Sequence, residues 1–117
     1  MYGFPNQQDL SSIIGKNLIM VCCNANQIYL HFDSQISISI GTNQFQIKSI
    51  DEITEIKIPI NNVAVFELLE QKAVNISVNN NNSILEITFE NNRKIILTDD
   101  KNYESHLIKI GNKEIVV

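Results

Sequence analysis

The stretch Ile14-Gly15-Lys16-Asn17-Leu18-Ile19-Met20-Val21, followed by Asn24-Ala25-Asn26-Gln27 and Ile28-Tyr29-Leu30-His31-Phe32-Asp33-Ser34, returns later in altered form. The second copy reads Glu70-Gln71-Lys72-Ala73-Val74-Asn75-Ile76-Ser77, then Asn79-Asn80-Asn81-Asn82, then Leu85-Glu86-Ile87-Thr88-Phe89-Glu90-Asn91. Lys16 aligns with Lys72 and Phe32 with Phe89, the one extra residue falling in the Asn-rich turn, where an insertion costs least. Each copy is a hairpin plus a third strand. Ile28, Leu30 and Phe32 share one face, and Ile36-Ser37-Ile38-Ser39-Ile40 alternates apolar and polar strictly. In the second copy Leu85, Ile87 and Phe89 alternate with Glu86, Thr88 and Glu90, and Lys94-Ile95-Ile96-Leu97-Thr98 returns after Asn91-Asn92.

A short helix is expected before each copy. Asp9 would cap Leu10–Ile14, with Gly15 as the stop, and Asn62 would cap Val63–Glu70. Leu10/Ile13/Ile14 and Val65/Leu68/Leu69 have the spacing of a buried stripe. Strands at 42–48 and 55–60 link the copies, with Pro59 marking an edge or a strand end, and 105–110 with 113–117 form a last hairpin about Gly111-Asn112. The expected fold is mainly β: a two-sheet sandwich or partly open barrel built from the internal hairpin repeat, residues 9–40 and 63–98, with one or two short helices. The 117 residues suit a single domain, 1–117. With 21 Ile and 16 Asn against 2 Pro, 4 Gly and no Trp, composition agrees with strands and turns.

A net charge of −4 argues against a nucleic-acid binder working through a basic face. No apolar run reaches the roughly 20 residues of a membrane-spanning helix. The first residues have neither a basic nor an apolar signal region, and Cys22 and Cys23 are adjacent on a strand, so they point apart. Two reduced thiols, one in the core, and a cytoplasmic protein are expected. No cofactor, metal or catalytic motif is expected, so the chain is not read as an enzyme. His31 reads as a solvent-facing strand residue in the Tyr29 row, and His106 likewise. The acids form two clusters: Asp51, Glu52 and Glu55 between strands, and Asp99, Asp100 and Glu104 around Tyr103. Carboxylates beside an aromatic suit a basic protein partner, because charge speeds encounter and the ring adds desolvated contact.

Tyr2-Gly3-Phe4-Pro5, Ile14-Gly15-Lys16, Leu30-His31-Phe32-Asp33 with Ile36-Ser37-Ile38, Asp99-Asp100 and Asn102-Tyr103-Glu104-Ser105 resemble the motifs of a family of small uncharacterised bacterial all-β proteins. That family resembles the immunity proteins of contact-dependent growth inhibition and other polymorphic toxin systems. The resemblance covers nearly the whole chain. It departs from the family at Gln71, where the second copy would usually carry Gly. It implies a cytoplasmic inhibitor that binds a cognate toxin domain, often a nuclease, and carries no assigned catalytic residue. The alternative is a small-ligand-binding β domain with Tyr29, His31 and Cys23 as lining. A homodimeric structural module, pairing through the edge near Pro59 or the C-terminal strand, is the third reading.

Overall fold

Ten antiparallel strands are present among residues 3–42, 44–99 and 106–117, the part of the chain described by this computed structural model. They are β1 (Leu18–Cys23), β2 (Ile28–Phe32), β3 (Ile36–Ile40), β4 (Gln44–Lys48), β5 (Ile53–Lys57), β6 (Ala73–Val78), β7 (Ile84–Phe89), β8 (Lys94–Thr98), β9 (His106–Ile110) and β10 (Lys113–Val116). They make two five-stranded sheets, ordered β1-β2-β3-β9-β10 and β5-β4-β8-β7-β6. The sheets form a sandwich and do not close into a barrel.

The orders reveal an exchange. Each repeat supplies three consecutive strands, and the hairpin that follows crosses to the other sheet. β4-β5 docks on β8, and β9-β10 docks on β3. Alternation then divides each sheet. Leu30 faces Ile38, and Ile38 faces Ile108, on one side; Ile87 faces Ile95, and Ile95 faces Ile47, on the other. All six are buried in one core that both sheets share. At the ends of β2 and β7, opposite Leu18 and Ala73, the Phe32 and Phe89 rings stack at 6.3 Å between centroids. Burying each such side chain stabilises the fold by about 1.5–3 kcal/mol.

The two copies also touch directly. The Gly15 N–H donates to Ala73 O, Ala73 N–H to Lys16 O, Leu18 N–H to Gln71 O and Glu70 N–H to Leu18 O, with an isolated bridge between Asn17 and Lys72. The environment repeats: the Asn17 N–H donates to the Asp33 carboxylate and the Lys72 N–H to that of Glu90. So Asn17, not Lys16, is the counterpart of Lys72, and Leu18 that of Ala73. Both strands then bulge, at Leu18/Met20 and Ala73/Asn75. This corrects the simple alignment by one residue. Gly15 (φ 92°) corresponds to Glu70 (φ 66°), so the glycine-like backbone of the second copy lies at Glu70 and not at Gln71.

The helices are single stretches of 3₁₀ helix, Gln7–Ile13 and Val63–Leu68. Asn62 caps the second as expected, its Oδ1 accepting from the Ala64 N–H at 2.8 Å. The first follows Asn6 rather than Asp9, with no side-chain cap. Leu10, Ile13, Val65 and Leu68 are buried, but Ile14 is exposed and Leu69 only half-buried, because a three-residue turn rotates the fourth position off the stripe. β5 stops at Lys57, before Pro59.

Neither cysteine is in the core. Cys22 is half-buried and Cys23 exposed, both free. The reason is that β1 is a sheet edge whose bulge turns it away from the second copy after Leu18.

Glu70→Gly relieves a left-handed backbone in a side chain that ends exposed. It is expected to raise unfolding free energy by about 0.5–1 kcal/mol in urea titrations. Gly15→Ala, at a site with open space around the new methyl, should lower it by about 1 kcal/mol for backbone reasons alone.

Candidate functional site

The acids expected to meet a partner are separated by the register. Asp51 and Glu52 occupy the exposed tip of the β4–β5 hairpin, closed by the Ser49 N–H donating to Glu52 O at 2.9 Å. Beside them Ile50 is 81% exposed and Ile53 56% exposed. Glu55 lies on the strand itself, its carboxylate accepting from the Gln46 amide at 2.6 Å. Lys48 pairs with Lys94 at the start of β8, so the tip sits at that end, whereas Asp99 leaves the far end, about 17 Å away along the strand. Asp99 is buried, with its N–H donating to Ser83 O. Asp100, Tyr103 and Glu104 lie outside the described residues. A small hollow of about 330 Å³ joins the tip to Asn91 and Arg93 of the β7–β8 turn. Arg93 there is engaged by Glu67 at 3.4 Å.

A second feature lies on the outer face of the other sheet. Tyr29 pairs with Ser39, Ser39 with Leu107, and Leu107 with Val116, a row straight across four strands. The small Ser39 leaves an open trough of about 700 Å³, which Gln27, Asn26 and the Lys109–Glu114 ion pair (3.6 Å) also line. The Tyr29 hydroxyl donates to Gln27 Oε1, and its ring stacks on His31 at 6.4 Å. The expected third member, Cys23, is not on this face. Cys22 pairs with Tyr29, while Cys23 pairs with inward-facing Ile28.

His106 departs most from expectation. It is buried on the inward side of β9, in line with Ile108, because the Phe4 ring covers it at 5.6 Å between centroids. Phe4 is held there by two bonds with Asn82: its N–H donates to Asn82 O at 2.7 Å and its carbonyl accepts from Asn82 Nδ2 at 2.8 Å. His106 Nε2 lies 2.9 Å from Thr98 O, which assigns the ring proton to Nε2. Nδ1 is buried with no hydrogen-bond partner among the described residues. Burial pushes the imidazole below its ordinary pKa; the Thr98 carbonyl and the Asp99 charge oppose that shift. The signal in the sequence was the row itself: His106 opens β9 in step with Ile108 and Ile110, opposite Leu107 and Lys109, which places it on the inward face.

Among the described residues no three His, Cys, Asp or Glu side chains are grouped to hold a metal ion, and no helix is long and apolar enough to cross a membrane. Comparisons with protein-family models, curated proteins and solved structures give no match.

The sign of the His106 effect is fixed. Its folded pKa lies below the unfolded value of about 6.5, so the stability it confers is complete above 6.5 and is lost as pH falls toward the folded value. His106→Phe has no such equilibrium. In denaturant titrations between pH 7.5 and 5, wild type should lose stability relative to the variant, by at most about 1.4 kcal/mol per pH unit. A constant difference across that range would show that His106 does not titrate in this way.

Proposed function

We propose that this chain is an immunity-type protein that binds and neutralises a cognate bacterial toxin domain, a nuclease in the favoured case, in the cytoplasm. The observation that carries the proposal is the β4–β5 tip: a large apolar side chain, Ile50, projecting beside two exposed carboxylates, Asp51 and Glu52. A nuclease cleft is cationic because it holds phosphates. The carboxylates provide long-range attraction to it, and Ile50 provides the desolvated anchor. The turn bond at Ser49 and the pairing of Lys48 with Ile53 hold the tip in place before binding, which lowers the entropy lost on docking. The net charge of −4 acts in the same direction.

The test is co-purification from cells carrying the neighbouring genes, followed by binding kinetics on the recovered toxin domain. Ile50→Ala with Asp51→Lys should slow association about tenfold and weaken protection, while stability moves by no more than about 0.5 kcal/mol, as for exposed sites. Recovery of no toxin domain, or unchanged protection by the double variant, would overturn the proposal.

The trough at Tyr29, Ser39 and Leu107 favours a second reading, a small-ligand-binding β domain. Its aromatic wall, amides and internally neutralised ion pair suit an uncharged polar molecule. In a fragment screen by NMR, that reading predicts shifts clustered at Tyr29, Ser39 and Leu107; shifts elsewhere or none remove it.

A further inference from the structure

The outer face of the β1-β2-β3-β9-β10 sheet carries two neighbouring rows, each straight across four strands. One is Tyr29, Ser39, Leu107 and Val116; beside it run His31, Ser37, Lys109 and Glu114. β3 is the middle strand of the five and alternates Ile with Ser, so the outward side chains at the centre of this face are two small serines. The valley above Ser39 is the open trough of about 700 Å³, within the range of about 300–1,000 Å³ typical of ligand sites. It crosses three strand spacings, about 14 Å. Its aromatic wall is fixed in place. The Tyr29 hydroxyl donates to Gln27 Oε1 and accepts from Asn24 Nδ2 at 3.4 Å. Asn24 Oδ1 in turn closes the β1–β2 turn, accepting from the Asn26 and Gln27 N–H groups, both at 2.8 Å. His31 stacks on one face of the Tyr29 ring and does not line the trough, so the trough meets the ring from its other side. Among the described residues, the Ser39 hydroxyl, the Asn26 side-chain amide and Gln27 Nε2 are left to solvent, with no hydrogen bond of their own.

We propose that this trough is a carbohydrate site, which takes a neutral pyranose or a short chain of them; the assignment rests on the ligand-binding reading of the trough and names the class of its ligand. A pyranose is amphipathic. One face of its ring is lined by C–H groups, and its rim by hydroxyls that both donate and accept. The C–H face matches the Tyr29 ring and the apolar Leu107 and Val116 side chains. The rim meets groups of both kinds: donors at Gln27 Nε2 and Lys109 Nζ, acceptors at Asn26 Oδ1 and the Glu114 carboxylate, and the Ser39 hydroxyl as either. Charge selects further. Glu114 neutralises Lys109 at 3.6 Å, so no fixed charge is left over for an anion or a cation, and the net charge of −4 disfavours phosphorylated ligands. A turn and a ring already held by Asn24 and Gln27 lose little freedom on binding. The trough belongs to one sheet and the acidic β4–β5 tip to the other, so sugar binding and toxin capture fail separately.

Amide NMR of the intact chain, titrated with glucose, galactose, mannose and N-acetylglucosamine and with a disaccharide of each, tests this. At least one sugar should give saturable shifts at Gln27, Tyr29, Ser39 and Leu107, with an affinity that salt leaves unchanged, as an uncharged ligand requires. Tyr29→Ala removes the stacking face and Ser39→Tyr fills the valley; each should weaken binding about tenfold or more. The wild-type shift map is a readout that holds even if a variant folds poorly. Adenosine and uridine serve as flat, neutral comparisons. Nucleoside shifts at the trough with none from any sugar overturn the carbohydrate assignment and leave the ligand-binding reading standing. No shift at the trough with any probe overturns both. Sugar shifts confined to other parts of the chain, or sugar binding untouched by Ser39→Tyr, overturn the assignment.

Discussion

The short backbone ladder between Gly15–Leu18 and Glu70–Ala73 is the contact on which the rest of this structure depends. It joins the starts of two equivalent strands, so it fixes how one copy of the repeat sits against the other. From it β1 and β6 diverge through matching bulges into separate sheets. The exchanged hairpins then complete what the ladder begins. Neither copy fills a sheet from its own strands; β4-β5 and β9-β10 each finish the sheet of the other half. Folding of one half without the other would leave β3 and β8 with unpaired edges and Phe32 and Phe89 without their stack. The repeat is therefore one cooperative unit rather than two small domains in tandem.

This arrangement also sorts the surfaces. The ladder side of the sandwich carries β1 and β6, the two uncharged edges, and the far sides carry β5 and β10, which are charged. Hairpin β4-β5 ends in an acidic, apolar tip, whereas its counterpart β9-β10 ends in Gly111-Asn112. Two elements with the same place in the fold thus differ wholly in what they offer outside. Near-symmetric cores constrain the inward-facing residues of both copies alike, and the outward tips are free to differ, which is where a binding function can arise without cost to packing.

At one end of the sandwich His106 takes part in three attachments at once. It stacks on Phe4 of the N-terminal arm, its ring bonds the end of β8 at Thr98, and its backbone pairs with Val117. A buried imidazole with one nitrogen unpaired among the described residues is a costly group, and it makes this end of the fold sensitive to protons.

The strands were legible because alternation is a local property: Ile28/Leu30/Phe32 and Ile36/Ile38/Ile40 can bury only one face, and each predicted row is buried as read. The Asn62 cap was legible for the same reason, being a contact two residues long. The repeat was visible as well, though its alignment was off by one at Lys16: two lysines of the same type sit at successive positions of the ladder, and the Asn-rich turn of the second copy takes up two extra residues rather than one. The exchange of hairpins was not legible, because nothing in β4 or β9 says which of two similar apolar edges it will join. The candidate site divided along the same line. Carboxylate content came from the residues, whereas the separation of Asp51 from Asp99, the burial of Asp99, and the exposure of Ile50 came from the register of distant strands. By itself the chain dictated which residues alternate and where it turns, as these depend on neighbours in sequence. Tertiary structure alone decided which ionisable groups reach water, because that depends on what packs against them from far along the chain.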